Sequence, residues 1–266
     1  MAISVDTVYK TVLLILNKEQ RGYMTPPEFN RIGTQVQLDI FEQYFEDLNQ
    51  QLRVPQSDVD YADRQMALDE KMSPFKTTGS ATLNTTIANN PYWDLPVIDL
   101  YGKTVVYNQL TPLSSAQIAF YKLGTVTYKP TVQTPVVLPT ELQRLGRAEF
   151  YNLQKSDLTV ASIYSPVYLY ENNKLFVSPA LAADTVTIDF LRKPLDIQWA
   201  FATGIGQSYV FNSQPGQGSV NFELSSTEQT NVILKILLYA GIVIRDPQIV
   251  QVAAQQIQQE EINKKS

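Results

Sequence analysis

The sequence contains no cysteine and no histidine. Without these residues the chain can build neither a Ser-His-Asp nor a Cys-His nucleophile. The same absences exclude disulfides and zinc sites made from cysteine or histidine. Glycoside hydrolysis needs only two carboxylates, so the 26 Asp and Glu residues leave that chemistry open. No carboxylate pair stands out in the sequence, and we therefore expect no catalytic residue, no metal and no cofactor.

Charged side chains are also scarce, at 18% of the residues against a usual quarter. The net charge is −5, and the chain has no basic run of the kind that sequence-independent nucleic-acid binding requires. The acidic balance fits a protein past which DNA slides, although solubility explains that balance equally well. A polar surface with little charge suits large permanent contacts with other proteins.

No apolar run is long enough to cross a bilayer. The longest, residues 232–244, contains Lys235 and falls short of the ~20 residues that a spanning helix needs. Residues 12–16 are apolar but too few for the core of a signal peptide, and no small-residue cleavage site follows them. We therefore expect neither obvious secretion nor a membrane partner.

Residues 1–72 are expected to form an N-terminal helical region. A short amphipathic helix is predicted first, and a second helix begins at Thr25, where Glu28 completes a capping box and Pro26 takes the first helical position. From Phe29 onward, apolar residues recur at steps of mostly three and four, which places them on one face. A weaker helical stretch is predicted for residues 60–72.

Residues 73–222 are expected to be β-rich with one inserted helix near residues 139–154. Asn172-Asn173 marks a hairpin turn, because asparagine tolerates positive φ. Residues 223–266 are expected to form a C-terminal helix pair, capped first by Ser225 with Glu228 and then by Asp246. The fold class predicted is α+β in one structural domain overall, with a helical unit from both termini packed with a central antiparallel β-sheet or sandwich. The strands predicted are residues 103–107, 124–128, 167–170, 174–177, 185–191 and 208–211.

Three patterns in the sequence could carry chemistry. Asp39, Glu42, Glu46 and Asp47 lie close together on the second helix, but a di-metal carboxylate site would also need histidines, so a solvated helix face is the better interpretation. The glycines of residues 204–206 lack the third glycine of a phosphate-binding loop. The tyrosines could form a stacking platform for bases or sugars, but core packing and subunit contacts explain them more simply. The closest group is Tyr164, Tyr168 and Tyr170.

Several short strings, scattered over most of the chain, carry a resemblance to a known class of protein. They include Arg21-Gly22-Tyr23, Asp69-Glu70-Lys71-Met72-Ser73-Pro74-Phe75 and Val186-Thr187-Ile188-Asp189-Phe190-Leu191-Arg192-Lys193-Pro194. The chain resembles the ring or head-to-tail adaptor proteins that lie under the portal in virions of short-tailed, crAss-like or related phages. None of these strings is a catalytic signature.

The resemblance implies a non-enzymatic virion structural protein, assembled in the host cytoplasm. Such adaptors form a homo-oligomeric ring, usually a dodecamer, around the channel through which the genome is ejected. The implied partners are the portal protein and other ring or tail proteins, while genomic DNA passes without specific binding. Two alternatives remain open: a tail-associated receptor-binding module, which would trimerise, and a tail hydrolase, which would need a deep cleft with a carboxyl of raised pKa.

The last helix, from Asp246 to about residue 261, is the candidate interface. Its apolar side is modest and its other faces are mostly glutamine, whereas a solvent-facing helix of a monomer usually carries more charge. Side-chain amides can pair across a contact without the desolvation cost of buried ions. An ordinary amphipathic helix that closes the core is the alternative. The candidate interface residues are Gln248, Gln251, Gln255, Gln256 and Gln259.

Overall fold

The computed structural model describes residues 2–18, 23–53, 60–85, 91–100, 103–106, 117–118, 120–130, 138–179, 185–203, 209–212, 218–244, 251–252 and 254–259. Helices near both ends of the sequence flank a region of sheets, which confirms the α+β class. The chain divides into two compact units. The helical unit comprises Met1–Pro74 and Pro194–Ser266, and the sheet unit comprises Phe75–Lys193.

The α-helices are α1 (Val5–Lys18), α2 (Pro26–Arg53), α3 (Asp60–Met72), α4 (Arg147–Leu153) and α5 (Gln229–Ile244). Residues 251–252 and 254–259 are also helical and are called the terminal helix below. The strands are β1 (Ala2–Ile3), β2 (Lys76–Ser80), β3 (Thr82–Asn84), β4 (Tyr92–Asp94), β5 (Val97–Leu100), β6 (Lys103–Val106), β7 (Gln117–Ile118), β8 (Phe120–Lys129), β9 (Thr140–Glu141), β10 (Gln143–Arg144), β11 (Val167–Glu171), β12 (Lys174–Ser178), β13 (Thr185–Arg192), β14 (Phe201–Thr203), β15 (Tyr209–Phe211) and β16 (Phe222–Ser225).

The core of the helical unit lies between α1, α2 and α5. Val12 and Leu16 of α1, Phe29 of α2 and Val232 of α5 have no exposed surface. The capping box that starts α2 differs in one detail from the expected one. The Glu28 carboxylate accepts the Thr25 N–H at 2.9 Å, as predicted, but the Thr25 hydroxyl donates to the same carboxylate at 2.7 Å. These two hydrogen bonds lower the pKa of Glu28.

In the described part of the sheet unit, the strands form three sheets. Their strand orders are β10-β11-β12-β4-β3, β2-β13-β8-β9 and β5-β6-β7. The hairpin predicted between β11 and β12 is confirmed, since Asn172 and Asn173 have φ of 49° and 61°. Strand β13 alternates as expected, because Val186 and Ile188 are fully buried while Thr185 and Asp189 on the other face are exposed.

The inserted helix expected near residues 139–154 is much shorter than predicted. Residues 140–144 form β9 and β10 instead, and α4 starts only at Arg147. The cause is long-range pairing: the Leu142 N–H donates to the Val126 carbonyl, and the Leu145 N–H donates to the Tyr168 carbonyl, both at 2.9 Å. The backbone donors that a helix would use are therefore already taken by neighbouring strands.

The segment from residue 194 to residue 222 belongs to the helical unit. Its first part runs along α2, where it is held by polar side chains of one helix face. Asn30 accepts the Trp199 N–H at 2.8 Å, and the Thr34 hydroxyl accepts the Ile197 N–H at 3.2 Å. Gly33 allows this close approach, because a Cβ there would lie 2.4 Å from Cδ1 of Ile197.

Gln37 continues this row and is almost completely buried, at 1% exposure. Its amide nitrogen donates to the Leu195 carbonyl at 2.7 Å, and its amide oxygen accepts the Glu223 N–H at 2.8 Å. The Glu223 carboxylate in turn accepts the Leu195 N–H at 2.8 Å. These three bonds form a closed cycle, so Gln37 satisfies backbone groups of both the returning segment at Leu195 and strand β16, which precedes α5.

We predict that Gln37→Ala lowers the free energy of unfolding by roughly 2–4 kcal/mol, because two buried backbone groups lose their partner. Gln35→Ala is the matched control: Gln35 lies on the same helix but is exposed, with its amide on Asp39. The control should change stability by less than about 0.5 kcal/mol. Urea unfolding measures both variants, and equal effects would contradict a special role for Gln37.

The capping box expected at Ser225 is absent. Ser225 has the extended backbone of an N-cap and precedes a 3-10 turn at Ser226–Glu228, but its side chain makes no capping hydrogen bond. Glu228 is buried instead, where it accepts from Lys71 of α3 at 2.8 Å and from Asn231 at 3.3 Å. Glu228 therefore ties α3 to the start of α5 rather than reaching back to Ser225.

We accordingly expect Ser225→Ala to change the free energy of unfolding by less than about 0.5 kcal/mol. Glu228→Ala should cost roughly 1–3 kcal/mol, because it removes a buried acceptor that serves two donors. Urea unfolding of both single variants checks this order. A larger loss of free energy of unfolding for Ser225→Ala than for Glu228→Ala would indicate that Ser225 caps the helix after all.

Candidate functional site

The terminal helix presents the glutamines singled out from the sequence. Gln251, Gln255 and Gln259 recur every four residues, so they form one row along the helix, and all three are exposed. Gln256 is exposed beside this row, whereas Gln248 and the expected start at Asp246 lie outside the described residues. The neighbouring Val252 is 57% exposed, so an apolar side chain of this helix is not covered by the chain.

A second exposed apolar surface is the hairpin of β14 and β15. Phe201, Tyr209 and Val210 are 38%, 41% and 52% exposed. The rings of Phe201 and Tyr209 lie 4.8 Å apart in an edge-to-face arrangement, and Phe211 lies 5.6 Å from the buried Trp199. This aromatic hairpin is therefore anchored in the core of the helical unit while its outer residues face outward.

In the sheet unit, the loop between α4 and β11 exposes large apolar side chains. Leu158 is 97% exposed and Tyr164 is 67% exposed, although the loop is braced by backbone hydrogen bonds such as Val160 N–H to the Ser156 carbonyl at 3.0 Å. Tyr164 is thus separated from Tyr168, which is buried in β11 with a pKa raised by desolvation. The tyrosine cluster seen in the sequence therefore divides into the buried Tyr168, the half-buried Tyr170 and the exposed Tyr164.

The acidic cluster of α2 also divides. Asp39 accepts the Tyr239 hydroxyl at 2.7 Å and the Gln35 amide at 2.7 Å. Glu42 and Glu46 are exposed on the solvated face expected from the sequence, and the side chain of Asp47 lies outside the described residues. Among the residues that the structure describes, no three acidic side chains come close enough to hold a metal ion.

A hollow on the sheet unit, missed in the sequence, brings two arginines together. It has a volume of about 380 Å³ and lies where the edge strand β10 and the start of α4 meet β11. The Arg144 guanidinium lies 6.0 Å from the centre of the Tyr170 ring, and Arg147 pairs with Glu171 at 3.3 Å. Leu169 lines the same hollow. We call this site the arginine hollow, and its chemistry favours an anionic group.

Comparisons with known proteins do not identify the chain: no protein-family model and no curated protein matches it. Within the described residues, no helix is both long and apolar enough to cross a membrane.

The hydrogen bond from Tyr239 to Asp39, together with burial, raises the pKa of Tyr239 to about 12. A tyrosine whose pKa rises on folding stabilises the fold below its unfolded pKa of about 10, and that contribution is lost as the pH passes through 12. We therefore expect Tyr239→Phe to be less stable than wild type at pH 9, with the difference shrinking between pH 10 and 12. Urea unfolding of both proteins at each pH measures this difference in the free energy of unfolding. A difference that stays constant from pH 9 to 12 would contradict a raised pKa for Tyr239.

Proposed function

We propose that this chain is a non-enzymatic structural protein that assembles with copies of itself, as a ring or adaptor at the head-to-tail junction of a short-tailed phage. In this proposal it forms part of the DNA exit channel of the virion and contacts the portal protein and neighbouring ring or tail proteins. Genomic DNA passes the ring without specific binding, in keeping with the net charge of −5.

The observation that carries the proposal is the exposed terminal helix. A row of exposed glutamines beside the exposed Val252 supplies donors, acceptors and apolar area without charge. Such a surface matches the polar and apolar mixture of protein interfaces, from whose centre charged residues are depleted. The surface of the terminal helix therefore suits a contact with another protein.

The aromatic hairpin and the loop around Leu158 add support from two further places on the chain. Phe201 and Tyr209 belong to the helical unit, whereas Leu158 and Tyr164 belong to the sheet unit. Aromatic residues are enriched at protein interfaces, and a subunit of a closed ring needs two different faces, one for each neighbour. Contacts with rings above and below would need further faces.

The test is to delete residues 247–266 and to follow folding and association separately. We expect the truncated protein to keep its circular dichroism and cooperative melt but to lose the assembled form in mass photometry and negative-stain microscopy. Unfolding or aggregation of the truncated chain would mean instead that the terminal helix closes the core.

Point variants refine this test without shortening the chain. Gln255→Arg with Gln259→Arg places two charges in the glutamine row while keeping residues that favour helix. Ala67→Arg, at an exposed position of α3, is the control and should assemble like wild type. A wild-type mass of three subunits would favour the receptor-binding alternative, and a wild-type protein that stays monomeric with its portal partner present would contradict the proposal.

A further inference from the structure

We propose that neighbouring copies of this chain associate head to tail, with the arginine hollow of one copy receiving Glu42 and Glu46 from α2 of the next. This inference rests on the proposed self-assembly and assigns two of the surfaces that meet in it. The two surfaces carry exposed side chains of opposite charge, and the two units to which they belong differ in net charge in the same sense.

The arginine hollow offers two guanidinium groups that an incoming anion can reach. In the described part of the chain Arg144 has no carboxylate partner, and its guanidinium lies over the face of the Tyr170 ring, which favours an extended side chain. Arg147 pairs with Glu171, but its side chain is 71% exposed, so its remaining donors face outward. Because guanidinium groups bind carboxylates through two parallel hydrogen bonds, the hollow suits a pair of acidic side chains.

Glu42 and Glu46 of α2 supply such a pair. They are separated by four residues, which places their Cβ atoms about 6 Å apart on one face of the helix. Both side chains are exposed, and within the described residues neither forms a salt bridge. Asp39, one turn earlier, is already engaged by Tyr239 and is not needed for the contact.

The two units carry charge of opposite sign. Of the 26 acidic residues, 18 belong to the helical unit and 8 to the sheet unit, while the 21 basic residues divide into 11 and 10. The helical unit is therefore strongly acidic and the sheet unit slightly basic. A symmetric contact of hollow against hollow would bring like charges together, whereas a contact of hollow against α2 brings opposite charges together. Repeated from copy to copy, that contact is head to tail, the kind that closes into a ring.

Charge reversal of each surface tests the contact. In the first variant Arg144 and Arg147 are both changed to Glu, and in the second Glu42 and Glu46 are both changed to Lys. In a solution of either variant alone, every contact would bring like charges together. We therefore expect association measured by mass photometry to fall at least about tenfold. An equimolar mixture should assemble again, because first and second variants can alternate with opposite charges at every contact.

Two comparisons make the test specific. Lys122→Glu on the exposed face of β8 and Glu70→Lys on α3 reverse exposed charges elsewhere and should assemble like wild type. One chain that carries all four substitutions should also assemble, because its two surfaces are again complementary. Recovery in the mixture shows in addition that both variants are folded.

The outcomes separate this inference from the proposed function. If wild type assembles and the two reversed variants assemble equally well, the contact lies elsewhere and the inference is overturned while self-assembly stands. If the reversed variants stay apart even when mixed, the charges do not meet between copies, and the inference is again overturned. If wild type itself does not assemble, the proposed function fails and the inference fails with it.

Discussion

The helical unit depends on the hydrogen bonds of one buried amide, that of Gln37. The chain leaves this unit before residue 75 and returns at residue 194, so the returning segment must be fixed by contacts far apart in sequence. Gln37 does this by bonding both Leu195 and Glu223, while apolar contacts alone would not specify the register. Because a buried polar group is costly when it lacks a partner, the native arrangement is favoured over its slipped alternatives.

Local signals predicted much of this fold. Helices α2 and α3 begin and end within a few residues of the positions expected from Pro26, apolar periodicity and Pro55, and the Asn172-Asn173 turn fixed the hairpin of β11 and β12. The predictions fail where contacts with residues distant in sequence determine the local structure. Residues 140–145 favour a helix locally, but Leu142 and Leu145 bond to Val126 and Tyr168. Glu228 pairs with Lys71 on another helix rather than with the nearby Ser225.

Of the candidate surfaces, one could likewise be predicted from local sequence signals and another could not. The glutamine row of the terminal helix could be found from the sequence, because Gln251, Gln255 and Gln259 recur at helical spacing. The arginine hollow could not, because it depends on the parallel pairing of β10 with β11, which brings Arg144 beside Tyr170. In composition alone these arginines are two of 21 basic residues in an acidic protein.

We propose that this protein assembles with itself through two different surfaces. The most direct measurement is an averaged electron-microscopy reconstruction of the assembled protein. We predict a closed ring in which Arg144 and Arg147 of each copy lie against Glu42 and Glu46 of its neighbour. Particles of one or three subunits, or a ring in which these residues face solvent, would contradict it.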